Sequence, residues 1–147
     1  MSRMATRPTS PRSVPAAEAW GLMHELFVSQ KGRFIAIAQE FDLTPMQMGA
    51  IRNLSPDRSV PMSELAGALH CDASNVTGIV DRLETHGLVE RRGDDHDRRV
   101  KMLALTDEGL RVRAALAERM SQPPERLAAL SAADQRTLRD ILRKALG

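Results

Sequence analysis

Between Asp72 and Arg82 the chain sets Ser74, Asn75, Thr77, Gly78 and Arg82 outside an apolar stripe, and these residue types at this spacing suit hydrogen bonding rather than catalysis. The Asn75 carboxamide offers a donor beside an acceptor, the pattern that matches an adenine edge in a major groove. Ser74 and Thr77 add hydroxyls, Gly78 permits close approach, and Arg82 is suited to a phosphate oxygen. A second polar set follows in Arg91-Arg92-Gly93-Asp94-Asp95-His96-Asp97-Arg98-Arg99. Asp97 and Arg99 are two apart, hence on one side of an extended backbone, where the carboxylate can hold the guanidinium. The chain has no nucleophile beside a base, no Gly-rich phosphate loop and no zinc-ligand spacing, so no catalytic residue or cofactor is expected.

The elements that must carry these groups are legible around them. Asp72 is placed to cap a helix, since its carboxylate can accept N–H groups of the first turn. Val76, Ile79, Val80 and Leu83 then recur at helical spacing on the side opposite the polar set. Gly87 can take the left-handed conformation that ends the helix, and Leu88-Val89 leave as a strand. Before this helix, a shorter one from Ser63 to Leu69 buries Leu65, Ala66 and Leu69, and only His70, Cys71 and Asp72 connect the two. So short a connection gives a helix-turn-helix whose second helix is free to enter a major groove. The polar run after Val89, flanked on its far side by Val100, Met102, Leu103 and Leu105, predicts a two-stranded basic hairpin. Residues 62–106 therefore follow the order of parts of a winged helix that reads duplex DNA.

Outside this device, residues 1–15 hold Arg3, Arg7 and Arg12, three prolines and no acid, a composition expected of a flexible basic arm. One long helix is predicted from Ala16 to Phe41, with Trp20, Met23, Leu26, Phe27, Phe34, Ile37 and Phe41 on its buried side. Thr44-Pro45-Met46-Gln47 begins the next helix with a cap, a proline at the first position and a glutamine three residues on. Met48, Ile51 and Leu54 are its apolar positions. Thr106 caps a helix that Pro123-Pro124 ends, and Ser131 with Asp134 starts the last one, where Leu138, Ile141, Leu142 and Ala145 repeat. The terminal helices carry more apolar stripe than one lobe can cover, which predicts a dimer interface, the alternative being completion of a monomer's core. The expected organisation is an arm over 1–15 and a single domain over 16–147, with a winged helix-turn-helix lobe at 44–106 and dimerisation helices at 16–41 and 106–147. The fold class is mainly α with a small β-wing.

A chain of 147 residues with 42% hydrophobic and 27% charged residues is the size and composition of one ordinary domain. No stretch approaches a membrane span and the N-terminus has no apolar signal core, so a cytoplasmic protein without a membrane partner is expected. A pI near 9.2 suggests a basic surface. Residues 44–106, however, hold eight basic residues against nine acidic ones, a net −1. Nucleic-acid binding must then depend on where the arginines sit, because phosphate neutralisation supplies the affinity that does not depend on sequence.

Two rival chemistries are weaker. Asp94, Asp95, His96 and Asp97, with His24, His70 and His86, contain metal-ligating types, but adjacent residues at a hairpin tip point in different directions and suit a solvated turn. The single Cys71 precedes a helix cap, where a thiol pKa falls, and a small buried turn residue is the plainer reading. A winged helix used for protein contacts and a small metal-dependent enzyme are the two alternatives to a DNA-binding regulator.

Taken together, Leu43-Thr44-Pro45, Glu64-Leu65-Ala66, Asp72-Ala73-Ser74-Asn75-Val76-Thr77, Val80-Asp81-Arg82-Leu83-Glu84, Gly87-Leu88-Val89-Glu90-Arg91, Asp97-Arg98-Arg99 and Leu105-Thr106-Asp107-Glu108-Gly109 resemble, in order and spacing, the MarR family of bacterial transcriptional regulators. The resemblance covers most of the chain from Trp20 to Leu146. It implies a homodimeric repressor or activator whose DNA affinity is often changed by a small aromatic ligand, a metal or an oxidant; a ligand-responsive repressor on a pseudo-palindromic double-stranded operator is expected. The DNA-contacting set it implies is Ser63, Ala73, Ser74, Asn75, Thr77, Gly78, Arg82, Arg98 and Arg99. The effector cleft it implies lies between the first helix, the Thr44 to Leu54 helix and the helix from Thr106, with Trp20, His24 and Phe27 as one wall. Redox-sensing members carry their cysteine near the first helix, unlike Cys71. His70 stands where the family usually has glycine, and histidine tolerates the positive φ such a turn needs.

Overall fold

A computed structural model of the chain describes residues 14–147; residues 1–13, and with them most of the expected arm, lie outside the described residues. The described chain divides into two compact units, one ending at residue 33 and the other spanning 34–147. In the first, helix α1 (Val14–Ser29) starts two residues before the expected boundary. It does not run on to Phe41 as one helix. The Ser29 hydroxyl donates to the Leu26 carbonyl at 2.6 Å and the Gln30 N–H to the Phe27 carbonyl at 3.1 Å, which tightens the last turn and ends α1 before α2 (Lys31–Glu40). Nor is the α1 stripe buried within one chain, since Trp20 is 69% and Phe27 64% exposed and Met23 is exposed as well.

In the larger unit, α2 ends on a left-handed Asp42, φ 55°. The Leu43 N–H returns to the Ala38 carbonyl and that of Asp42 to Gln39, a Schellman end built on aspartate. Helix α3 (Pro45–Asn53) begins in the expected capping box: the Gln47 N–H donates to Thr44 Oγ1 at 3.2 Å, and the Thr44 N–H donates to Gln47 Oε1 at 3.0 Å. Strand β1 (Val60–Pro61), helix α4 (Met62–Leu69), helix α5 (Ala73–Thr85), strands β2 (Val89–Gly93) and β3 (Lys101–Leu105), and helices α6 (Asp107–Ser121), α7 (Glu125–Ala128) and α8 (Ala132–Leu146) complete the order.

The expected two-stranded hairpin is one part of a three-stranded antiparallel sheet, ordered β1-β3-β2. Val60 pairs with Leu103 and Pro61 with Met102, while β2 and β3 run in register from Val89 opposite Leu105 to Gly93 opposite Lys101. Pro61 has no N–H to donate, which suits the edge it occupies. Ile37, Ile51, Leu54, Leu65, Val80, Leu83, Leu103 and Leu116, each 2% exposed or less, draw the helices α2 to α6 and the sheet into one core. Helix α8 buries none of its residues, and Ile141 is 59% exposed. No helix among the described residues is long and apolar enough to cross a membrane.

The wing is locked to α6 by close backbone approach. The Thr106 N–H donates to the Leu88 carbonyl, its hydroxyl donates to the Gly87 carbonyl at 2.6 Å, and the same hydroxyl oxygen caps α6 by accepting from the Gly109 N–H at 3.0 Å. A Cβ on Gly109 would stand 2.0 Å from the Leu88 carbonyl oxygen, so only glycine fits where the helix meets the strand.

Candidate nucleic-acid interface

Helix α5 is set by its two ends. At the start, Asp72 Oδ1 accepts from the Asn75 N–H and from the Ser74 hydroxyl, both at 2.9 Å. These two bonds, the backbone one foremost, hold the Asp72 carboxyl below its ordinary value. At the end, Leu88 N–H returns to the Leu83 carbonyl and Gly87 N–H to Glu84, a full Schellman motif with Gly87 at φ 70°. Val76, Val80 and Leu83 are buried and Ile79 half-buried. That orientation leaves Ala73, Ser74, Asn75, Thr77, Gly78, Asp81, Arg82 and Thr85 exposed on the other side. The Thr77 hydroxyl donates to the Ala73 carbonyl at 2.9 Å, which turns its methyl and oxygen lone pairs outward.

The turn before α5 is held by His70 in the left-handed region, φ 51° and ψ 40°, its N–H shared between the Ala66 and Gly67 carbonyls. The histidine thus does what glycine would do there, at a modest conformational cost. Ser63 lies exposed in the first turn of α4. Cys71 is half-buried, its thiol donating to the Leu69 carbonyl at 3.4 Å.

At the hairpin tip, Asp97 Oδ1 accepts from the Arg99 N–H at 3.0 Å and from its Nε at 3.4 Å; the two residues pair as expected, but across a turn closed by the Val100 N–H on the Asp97 carbonyl rather than along extended backbone. The Arg99 side chain is nevertheless 92% exposed. Arg98 is exposed beside it. Other basic residues of the lobe are committed within the protein. Arg91 reaches Asp81 at 2.5 Å and Glu84 at 3.2 Å on α5, Arg92 pairs with Glu90, and Arg58 pairs with Glu64 at 2.8 Å. The strut from Arg91 fixes the wing to α5 and neutralises two carboxylates next to its outer face. Asp81 and Glu84, three apart on one helix, were the signal for such a cation. Among the described residues, Arg52, Arg82, Arg98 and Lys101 of the lobe form no ion pair; Arg82, Arg98 and Lys101 lie along α5 and the wing, and Arg52 on α3. Arg82 stands at the flank of α5, lining a cleft of about 470 Å³ with Gln39, Asp42, Thr44, Gln47 and His86.

Trp20, His24 and Phe27 recur at i, i+4 and i+7 along α1, and all three are exposed. A second cleft, of about 400 Å³, opens between α3 and α6, where Arg52 and Arg113 face Ala117, Met120 and Ser121. Arg113 is held there by its Nε donating to the Leu54 carbonyl at 3.1 Å. The sequence did not single out these arginines, because they come together only when α3 and α6, far apart in the chain, cross. Arg119 ties α6 to α2 through Glu40, at 2.8 Å and 2.5 Å, and holds the Glu40 carboxyl below its ordinary value. Among the described residues, no three His, Cys, Asp or Glu side chains group as metal ligands, including those at the hairpin tip.

Residues 43–101 match the MarR family model, the stretch that holds α3 through the wing. The transcriptional repressor MprA of Escherichia coli (strain K12) is 37% identical over 91 residues, which are 61% of this chain and 52% of that protein. The chain spans between half and two thirds of the length of the curated relatives it matches. A MarR family protein from Bacillus stearothermophilus has a similar structure with TM-score 0.77 and 26% identity, over 92% of this chain and 96% of that one. A mutant MepR of S. aureus bound to an oligodeoxyribonucleotide shares the fold with TM-score 0.64 and 22% identity, over 87% and 95% of the two chains. From the cap of α3 to the strands of the wing, local structure, fold and family model agree: residues 43–101 match the MarR family, and the chain is similar in fold to a MarR family protein over most of its length.

Proposed function

We propose that the protein is a cytoplasmic, sequence-specific transcriptional regulator, not an enzyme, that binds a pseudo-palindromic duplex as a homodimer and acts as a ligand-responsive repressor. The observation that carries this reading is the polar, exposed face of α5 beside a wing whose Arg99 is held by Asp97, because a protein-binding wing has no need of a positioned guanidinium. Ser74, Asn75, Thr77 and Gly78, with Ala73, meet base edges; Arg82, Arg98, Arg99 and Ser63 meet the backbone or the neighbouring groove. That MprA is a repressor and that a MepR mutant has been solved bound to an oligodeoxyribonucleotide support the reading.

Dimerisation covers the apolar residues left exposed on α1 and α8, each worth about 1.5–3 kcal/mol when fully buried. For the effector, the α3–α6 cleft pairs two guanidinium groups with an apolar wall, a combination that suits a small aromatic carboxylate. Trp20, His24 and Phe27 remain effector candidates on α1. A tenfold release of DNA requires about 1.4 kcal/mol of preference for the non-binding arrangement.

Selection of duplexes from a random pool, combined with light scattering of the selected complex, tests this function. Enrichment of an inverted repeat bound by two protomers is the expected result. A monomer that binds one half-site with full affinity overturns the dimeric reading, and failure to enrich any sequence overturns DNA recognition.

A further inference from the structure

The outward face of α5 presents an unusual balance of hydrogen-bonding capacity. The Ser74 hydroxyl proton is committed to Asp72 Oδ1 and the Thr77 hydroxyl proton to the Ala73 carbonyl. Both oxygens therefore face outward as acceptors only. Between Asp72 and Gly78 there is no Arg, Lys or Gln; the one outward side-chain donor is the Asn75 carboxamide, and the first cation is Arg82. Gly78 lies one turn beyond Ser74, and the place its Cβ would take is open, with no atom within 4 Å.

Guanine presents two acceptors to the major groove, N7 and O6, and is read by the paired donors of Arg or Lys. The first two turns of α5 have no such pair. Adenine presents an acceptor beside a donor, the complement of a carboxamide, and thymine adds a methyl that the Thr77 and Ala73 methyls can meet. Cytosine could satisfy the two hydroxyl acceptors, but its guanine partner would leave N7 and O6 without donors where water is expelled, which is costly. We propose, resting on the DNA-binding reading above, that α5 selects A·T pairs beneath its first two turns and that Gly78 is the position that withholds recognition of guanine.

Sites selected by the wild type and by Gly78→Arg test this directly. Arginine is a better helix former than glycine and has open space here, so the variant's melting temperature should equal or exceed the wild type's. The wild-type consensus should hold A·T at the base pairs beneath α5, so that no guanine there gives interference when its N7 is methylated by dimethyl sulfate. Gly78→Arg should gain guanine at one position per half-site, preferred by about fivefold to a hundredfold, and N7 methylation of that guanine should abolish the gain. An invariant guanine beneath wild-type α5 whose methylation blocks binding, or an unchanged consensus for the variant, overturns the inference while leaving DNA recognition intact. No enrichment by the wild type at low salt overturns DNA recognition itself.

Discussion

Asp97 accepts both the backbone N–H and the guanidinium Nε of Arg99, so one carboxylate shapes the hairpin tip and aims its outermost cation. The pair is exposed and adds little to stability, in the range of about 0–1 kcal/mol typical of surface ion pairs after screening by solvent. Its worth lies in holding the guanidinium where a DNA groove would meet it. Arg99→Ala should weaken all duplexes alike and lower the slope of log affinity against log salt by about 1. Asp97→Ala should weaken binding less and leave the melting temperature nearly unchanged. Fluorescence anisotropy across a salt series measures both effects, and an unaltered affinity for Arg99→Ala would remove the wing from the interface.

Asn75 and Arg82 should separate cleanly. Asn75→Ala should change base preference at one position per half-site, worth about 1–3 kcal/mol. Arg82→Ala should reduce affinity uniformly, because a phosphate contact carries no sequence information. Competition among single-substitution duplexes distinguishes the two, and a consensus unaltered by Asn75→Ala would contradict its role at a base edge.

Gly109 and Gly87 are required for different reasons, and only the demand on Gly87 is legible in the sequence. Gly87 follows the last apolar residue of α5, a local signal for a left-handed helix end. The demand on Gly109 comes from the Leu88 carbonyl, brought against it by the return of the wing. Gly109→Ala should destabilise the fold by about 1–3 kcal/mol through overpacking, read from urea denaturation. A variant as stable as the wild type would show that the strand and helix can separate at no cost.

The same distinction explains what else the sequence revealed. Helix α5, the α3 capping box and the Asp97–Arg99 pair depend on residues within a few positions of one another, so type and spacing sufficed. Strand β1 escaped notice because two residues, one of them proline, carry no periodicity; β1 exists only because β3 offers Leu103 and Met102 as partners. The break after Ser29 depends on a hydroxyl turning back onto its own helix. Exposure of the α1 stripe is a matter of what covers it, which no pattern within α1 encodes. The Arg91 strut and the Arg113 and Arg119 ties join residues that meet only after folding.

Acid should loosen the recognition helix. The Asp72 carboxyl is held below its ordinary value by the Asn75 N–H and the Ser74 hydroxyl. Its contribution to stability is therefore complete above the unfolded carboxyl's pKa, near 3.8, and is lost as pH falls through the lower folded value. Asp72→Asn keeps an acceptor for the cap but cannot titrate, so its stability should vary less with pH in this acid window. Parallel thermal melts of wild type and variant between neutral and strongly acid pH measure the difference, and identical pH profiles would show that Asp72 gains nothing from its cap.

Dimeric recognition of duplex DNA is tested most directly by hydroxyl-radical footprinting on a selected duplex at defined salt. Two protected tracts centred roughly 10 bp apart on one face, related by a dyad and each flanked by wing protection that Arg99→Ala removes, are the expected result. A single tract, or protection that spreads over the duplex without regard to sequence, would contradict it.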